Sequence, residues 1–157
     1  MSAPNYFQDR LEKLLQLAQA YAEFGSGGPF RRIGIFPDDL GWYVTQDLMP
    51  TLCFSPVVEQ HSPYSTSRTE MQMVVRVSVF SYMDPVRKPE DVTKDVLGMI
   101  AKLNRFLWTY RNVDQYWNQI GPSSGDFLRW EFQPLEQGIH RSRTDVRFAV
   151  PKVDLTA

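Results

Sequence analysis

A long stretch of alternating hydrophobic and polar positions lies in the middle of the chain, from Arg68 to Tyr82. Alternation of this kind is typical of a strand in an antiparallel sheet with one face on the core. The residues predicted to face the core are Met71, Met73, Val75, Val77 and Val79. The opposite face, predicted to be partly wet, carries Gln72, Val74, Arg76, Ser78, Phe80 and Tyr82.

Two other segments repeat their hydrophobic residues at spacings of three and four, which predicts amphipathic helices. The first covers residues 4–24 and ends at the glycine-rich run that begins at Gly25. The second covers residues 90–108, and its acidic start favours the positive end of the helix dipole. The predicted buried positions are Phe7, Leu11, Leu14, Leu15, Ala18 and Ala22 in the first helix and Val92, Val96, Met99, Ile100, Leu103 and Leu107 in the second.

Shorter strands and their connections are predicted on either side of the central strand. Residues 50–61 predict a strand with an edge position or a bulge at Pro56, because proline cannot donate to a ladder. Residues 61–69 are polar and predict an exposed connection. Residues 126–150 predict a C-terminal hairpin that turns at Gly138, with Leu128, Trp130 and Phe132 on one face of its first strand.

This order of elements predicts an α+β fold in a single domain of residues 1–157. The fold class is an antiparallel or mixed β-sheet with two main helices packed on one face and a C-terminal β-hairpin. Residues 29–49 are irregular and predict one or two short strands that include Ile33, Ile35, Tyr43 and Val44. Residues 109–125 are an aromatic, polar linker, which predicts either closure of the core or a protein–protein contact.

Composition and charge argue against several functional classes. The 17 Lys and Arg residues nearly balance 18 Asp and Glu residues, so no basic field exists to hold nucleic acid. The basic run at residues 140–143 is interpreted as a solvated turn. No run reaches the roughly 20 apolar residues of a membrane helix, and the N-terminus lacks a signal-peptide pattern. We therefore expect a soluble, cytosolic chain, in which Cys53 is a buried and inert thiol.

Candidate catalytic and metal-binding residues are sparse. His61 and His140 lie far apart in the sequence and lack a partner at metal-ligand spacing. The acidic pair at residues 38–39 is interpreted as turn chemistry, and the pair at residues 90–91 as the start of a helix. The glycines at residues 25–28 lack the Lys-Ser/Thr of a phosphate-binding loop. We therefore expect no enzymatic activity and no cofactor or metal ion.

Four sequence features together resemble one family. They are a strand "PTLCFSPV", a long strand entered from "RTE" and left through "DP", a helix "PEDVTKDVLGMIAKLNRFL", and a terminal hairpin. In this order they resemble the tail terminator, or tail-completion, proteins of tailed bacteriophages, the group that includes the lambda-type minor tail protein U. The resemblance covers residues 11–153. The chain departs from the family pattern at residues 29–49 and 109–125.

The resemblance implies a structural virion protein of the tail and neck, assembled in the host cytoplasm. Copies of the chain would form a ring, usually a hexamer, that ends tube polymerisation at the head-proximal end of the tail. The implied partners are the chain itself, the tail tube protein, the head-side connector and, in a contractile tail, the sheath protein. No membrane is implied, and DNA would only pass through the ring. The candidate contact residues are Tyr64, Arg68, Glu70, Arg111, Trp117, Arg141 and Arg143.

Three alternatives stay open at this point. The candidate contact residues could be ordinary solvated side chains. The chain could be another neck or head–tail connector subunit, which would differ in the partner that it meets. It could also be a small α+β ligand-binding or enzymatic domain, with a pocket between the sheet and the helices. Such a pocket would need converging polar groups on the inner face of the sheet, where the central strand supplies apolar ones.

Overall fold

A mixed β-sheet with two helices on one of its faces makes up the described part of the chain, which confirms the predicted α+β fold class. The computed structural model describes residues 6–25, 27–36, 48–63, 68–118, 120–121, 128–134 and 138–154. The helices are α1 (Tyr6–Ala20) and α2 (Pro89–Thr109), and a short 3-10 helix follows α1 at Ala22–Phe24. The strands are β1 (Arg32–Ile35), β2 (Thr51–Pro63), β3 (Arg68–Tyr82), β4 (Ile120–Gly121), β5 (Glu131–Pro134) and β6 (Ile139–Asp154).

The long alternating segment forms β3, the central strand of the sheet, with the predicted bounds. The described strands lie in the order β1-β2-β3-β6-β4, and β5 pairs with β6 as well. β1 runs parallel to β2, whereas the other pairs are antiparallel, so the sheet is mixed. The antiparallel pair of β5 and β6 confirms the C-terminal hairpin, and Gly138 at its turn has a φ of 74°.

The apolar face of β3 lies against both helices, as predicted. Its five core residues are fully buried and pack with the buried residues of α1 and α2. The opposite face of β3 is less exposed to solvent at one end than predicted, because Phe80 packs there with Cys53 and Ile139 in a second apolar cluster. Cys53 is buried as predicted, with its Sγ 3.2 Å from the Ser55 hydroxyl oxygen.

Of the six predicted positions in each helix, five are buried in α2 and three in the first helical segment, where Phe7 and Leu15 are partly buried. The α-helical part of α1 ends at Ala20, earlier than predicted, because the chain tightens into the 3-10 helix, where Ala22 is exposed. Val96 of α2 is only partly buried, and Phe106, which the predicted stripe omitted, is fully buried. The buried residues are Leu11, Leu14 and Ala18 in α1 and Val92, Met99, Ile100, Leu103, Phe106 and Leu107 in α2.

Two segments predicted as connections or turns belong to strands. The predicted connection at residues 61–69 is wrong at both ends, because His61 lies in β2 and Arg68 begins β3. The predicted turn at residues 140–143 is also wrong, since these residues pair with β3 and β5 inside β6. Pro56 lies at a bulge, as predicted. Tyr43, Val44 and the acidic pair at residues 38–39 lie outside the described residues.

Gly98 lies in the middle of α2 on its exposed side. A Cβ atom at this position would meet nothing within 4 Å, so alanine fits without a clash. We expect Gly98→Ala to raise the free energy of unfolding by about 1 kcal/mol, because glycine loses more backbone entropy in a helix than alanine does. Urea unfolding at low protein concentration measures this change. The reverse substitution at the exposed Ala101, Ala101→Gly, should lower the same free energy by a similar amount; equal signs for the two variants would contradict the prediction.

Candidate functional site

Among the described residues, the outer edge of β2 is free over most of its length. β1 pairs only with Thr51 to Phe54, and no other described strand pairs with that edge. Residues 56–60 are all exposed, including Val58 with 44% of its surface accessible. A bulge between Pro56 and Val58 separates this exposed part from the part that β1 covers. The unpaired N–H and C=O groups of such an edge can pair with another strand.

On the opposite side of the sheet, part of the β6 edge has no partner among the described strands and is also free in this sense. β5 pairs with residues 140–143, β4 pairs with residues 147–148, and the amide of Asn118 donates to the Ala149 carbonyl oxygen at 3.0 Å. No described strand pairs with the outer edge of residues 150–154. The same end of β3 is flanked on one side by residues 59–63 of β2 and on the other side by residues 150–154 of β6. One end of the sheet is therefore a three-stranded segment with a free edge on each side.

Arg141 and Arg143, two predicted contact residues, lie together on the sheet face that points away from the helices. The Arg141 Nη2 atom donates to the Gln133 Oε1 atom at 2.7 Å, and the Arg143 Nε atom lies 3.5 Å from a Glu131 carboxylate oxygen. Because Gln133 and Glu131 belong to β5, both arginines link β5 to β6. The contacts that these two arginines make therefore lie within the hairpin. The sequence did not indicate these contacts.

A second arginine–carboxylate pair joins β3 to β6 on the same face. The Arg76 Nε atom donates to one carboxylate oxygen of Asp145 at 2.9 Å, and its Nη2 atom donates to the other at 3.3 Å. Two-pronged pairs of this kind fix geometry as well as charge. The sequence placed Arg76 on this face by alternation, but its partner depends on the register between β3 and β6.

Trp117, a predicted contact residue, lies in the core of the described structure rather than at its surface. Its side chain is only 1% exposed, and the Nε1 atom donates to the Tyr110 carbonyl oxygen at 2.9 Å. Its ring meets that of Phe148 edge to face at 4.7 Å. The chain folds back in a tight turn, with a β-bridge between Val113 and Trp117, which carries the indole under the surface. The alternative of core closure therefore holds for this residue.

Arg111, by contrast, lies near the surface beside an exposed tryptophan. Its guanidinium carbon is 4.0 Å from the centre of the Trp108 ring, and its Nη1 atom donates to the Trp108 carbonyl oxygen at 2.8 Å. Trp108 is 53% exposed. Aromatic residues and arginine are the types that dominate binding energy at protein interfaces. The two residues together are a candidate contact at the end of α2.

The remaining predicted contact residues cluster in sequence around the start of β3. Glu70 is exposed and pairs in register with Ser62 of β2, which places it at the end of the sheet with the free edges. Arg68 begins β3, and its side chain lies outside the described part. Tyr64 lies outside the described residues altogether. Glu70 is thus the one of these three whose described position agrees with a contact role.

A groove of about 240 Å³ lies between the first half of α2 and the hairpin of β5 and β6. Its lining includes the small hydroxyl residues Ser81 and Ser142, and Phe132 at its side is 56% exposed. The inner face of the sheet therefore carries polar groups at this end, which the apolar face of β3 did not indicate. Sites for small molecules are typically about 300–1,000 Å³, so this groove is small for such a ligand. The full lining is Ser81, Met83, Thr93, Val96, Leu97, Phe132, Gln133, His140, Arg141 and Ser142.

The titratable groups of the described residues form few close clusters. Three or more His, Cys, Asp or Glu side chains do not come together anywhere in the described ranges in a way that could hold a metal ion. A hydrogen bond from Arg105 to Glu23 at 2.9 Å raises the pKa of the guanidinium above its ordinary value, so this group stays charged. None of the described helices is long and apolar enough to cross a membrane.

No protein-family model matches the chain, and no curated protein matches its sequence. The function must therefore be inferred from the residues and geometry of this chain. Two features of the described residues expose groups that another protein chain could contact. They are the pair of free edges at one end of the sheet and the exposed surface of α2 near Trp108.

Proposed function

We propose that the protein is a structural virion subunit that forms a ring at the head-proximal end of a phage tail tube. The observation that carries the ring is the three-stranded segment of β2, β3 and β6 with a free edge on each side. The β2 edge of one copy pairs with the β6 edge of the next. Because the two edges differ, a row of copies joined in this way still has a free β2 edge at one end and a free β6 edge at the other. Association therefore stops only when these two remaining edges pair and close a ring.

Backbone pairing supplies the energy of this contact with little demand on sequence. Residues 56–63 of β2 and 150–154 of β6 present N–H and C=O groups that a strand from another copy can satisfy. Pro56 and Pro63 of β2 and Pro151 of β6 have no N–H, so each can contribute only its carbonyl oxygen to the ladder. The exposed Val57 and Val58 lose apolar surface to water when the edge is covered. Association therefore needs no catalytic group.

The position of the ring in the virion follows from the resemblance to tail terminator proteins. A ring of this kind ends tube polymerisation, meets the tube protein on one side and the head-side connector on the other, and lets DNA pass through its lumen. In a contractile tail it also meets the last ring of sheath protein. A ring of six subunits is the number that the resemblance implies.

The groove between α2 and the hairpin supports a second candidate function, a small ligand-binding or enzymatic domain. Two serine hydroxyls, His140 and Arg141 line it together with apolar side chains. Its volume is smaller than that of a typical ligand site, so we place this function second. Another neck or connector subunit would use the same sheet edges, and its partners alone would distinguish it.

The ring proposal is tested by changing the free edge of β2. We expect Val58→Lys to abolish assembly, because lysine at an edge blocks the approach of a second strand. Light scattering over a range of concentrations, with and without tail tubes, measures the mass. The unchanged chain should form a particle of six times the 18.2 kDa chain mass, alone or on tube ends. Val86→Lys is the matched control, because Val86 is 92% exposed in a turn and should tolerate the same change.

Two results would count against parts of this proposal. A chain that stays monomeric at every concentration and ignores tubes is not a tail terminator, and the groove then becomes the leading candidate site. If Val58→Lys assembles as the unchanged chain does, the ring does not use the β2 edge.

A further inference from the structure

The side of α2 that faces away from the sheet carries a continuous stripe of exposed residues. They recur at spacings of three and four, so they lie on one face of the helix. Leu97 and Trp108 are large apolar members of the stripe and are about half exposed. The stripe lies in the helix layer, whereas the free edges of β2 and β6 lie at the sides of the sheet. Its members are Glu90, Lys94, Leu97, Ala101, Arg105 and Trp108.

Two small residues, Ala101 in the middle of this stripe and Gly98 beside it, leave room for another helix. Gly98 is exposed, and a Cβ atom there would meet nothing within 4 Å, so packing within the chain does not require glycine. Glycine nevertheless weakens a helix relative to alanine. Ala101, one turn further on, is also small and exposed. The distance between packed helices depends on the side chains at their contact, so these two residues permit a close approach.

The two halves of the α2 segment carry opposite charge. Residues 89–97 contain three carboxylates, on Glu90, Asp91 and Asp95, and one cation, Lys94. Residues 98–111 contain three cations and no carboxylate; the cations are Lys102, Arg105 and Arg111. A helix with one acidic half and one basic half is complementary to a second copy of itself that runs in the opposite direction.

We propose that two copies of the chain pack α2 against α2, antiparallel, about a two-fold axis at Ala101. Lys94 and Trp108 each lie seven residues from Ala101, so the axis places the ammonium of one copy near the indole of the other. Arg111 of the same chain already lies over one face of that indole at 4.0 Å, and a cation over the other face is a further favourable contact. Leu97 and Arg105 each lie four residues from Ala101, so Leu97 of one copy lies opposite Arg105 of the other.

Charge and dipoles favour the same arrangement. The acidic half of each helix faces the basic half of the other, and the antiparallel helix dipoles attract. Three of the charges already have partners within the chain: Lys94 with Glu90 at 2.9 Å, Asp95 with Arg87 at 2.8 Å, and Arg105 with Glu23 at 2.9 Å. Exposed pairs of this kind contribute little to stability, so they rearrange readily when a second helix arrives.

The surface beside the stripe extends the contact. The Trp130 Nε1 atom donates to the Asn104 Oδ1 atom at 2.7 Å, which fixes the segment before β5 along α2. Phe132, further along that segment, and Leu97 both line the groove and are about half exposed. The contact therefore gathers exposed Trp, Phe and Arg side chains, the residue types that dominate interface energies.

A cysteine at the axis tests the two-fold geometry. We expect Ala101→Cys to form a disulfide-linked dimer of twice the 18.2 kDa chain mass under mild oxidation, because the axis places the two thiols together. Cys53 is fully buried and should not react. Asp91→Cys is the matched control, since this exposed position lies ten residues from the axis and should not become disulfide-linked, even though the dimer still forms. Equal linking of both variants, or none of either, would overturn the proposal.

The strength of the contact is measured separately by sedimentation over a range of concentrations, with Val58→Lys present in every variant so that the ring does not form and only the α2 contact is measured. Ala101→Arg should raise the dimer dissociation constant roughly 100-fold, as expected when a central interface position is blocked. Val58→Lys should leave this dimer unchanged, because β2 lies outside the α2 contact. Unchanged dimerisation of Ala101→Arg, or a wild-type chain with no dimer at any concentration, contradicts the two-fold contact. If the chain forms the α2 dimer but no ring, that result contradicts the proposed ring and leaves the two-fold contact supported.

Discussion

Trp117→Ala is expected to lower the free energy of unfolding by about 3–5 kcal/mol, the range for deleting a buried aromatic side chain. The indole is almost wholly buried and lies edge to face on Phe148, the β6 residue that pairs with Met73 of β3. Its loss would open a cavity over the centre of the sheet. It would also leave the Tyr110 carbonyl oxygen without the hydrogen bond from the indole. Urea unfolding followed by circular dichroism measures the change.

Two controls separate the parts of this effect. Trp117→Phe keeps an aromatic ring near Phe148 but removes the Nε1 donor, so it should cost less than the alanine change. Trp108→Ala removes the same side chain at an exposed position of α2 and should change the unfolding free energy by less than about 1 kcal/mol. If Trp117→Ala left stability intact and abolished assembly, Trp117 would be a contact residue after all.

The sequence predicts β3 and α2 well because their residues repeat with the period of the element they form. In β3 the side chains alternate between the two faces, and all five residues predicted to face the core are buried. In α2 the apolar residues recur on one face, and the predicted bounds differ from those observed by one residue at each end. A regular pattern of this kind reports directly on which face lies against the core.

β6 shows where such a pattern fails. Its first half places polar residues, Ser142 and Thr144, on the buried face against Val79 and Val77 of β3. Without apolar alternation, this basic and hydroxyl-rich run has the composition of a turn. It is a strand because β3 and β5 pair with it on both sides, and pairing partners distant in sequence are not visible in a local pattern.

The positions of the candidate contact residues in the fold depend on tertiary pairing, which the sequence pattern does not show. Arg141 and Arg143 carry the right chemistry for a contact, but the register of β5 on β6 gives them partners within the hairpin. Trp117 lies in a polar linker, yet a tight turn carries it into the core. Arg111 remains near the surface because α2 ends just before it. The residue type predicts which contacts a side chain can make. Pairing between elements distant in sequence decides whether those contacts lie within the chain or at its surface.

Phe106→Ala is expected to be the other strongly destabilising change, again by about 3–5 kcal/mol. Phe106 is fully buried, and its ring centre lies 5.2 Å from that of Tyr21, 5.4 Å from that of Phe24 and 5.3 Å from that of Tyr110. This aromatic cluster ties the end of α1 and the 3-10 helix to the end of α2. Thermal and urea unfolding measure the loss, and Phe106→Leu, which keeps most of the volume, should cost less than about 1.5 kcal/mol.

A double-mutant cycle shows whether the cluster joins the two helices. If the rings of Phe106 and Phe24 interact directly, the cost of Phe106→Ala should shrink by about 0.5–1.5 kcal/mol when Phe24 is already alanine. The pair Phe106 and Leu11 is a suitable reference cycle, because both residues are buried in the same core but Leu11 supplies no ring. Strict additivity in the Phe24 cycle would mean that the rings share a core without stabilising each other. The attachment of α1 to α2 would then depend on the aliphatic residues of that core.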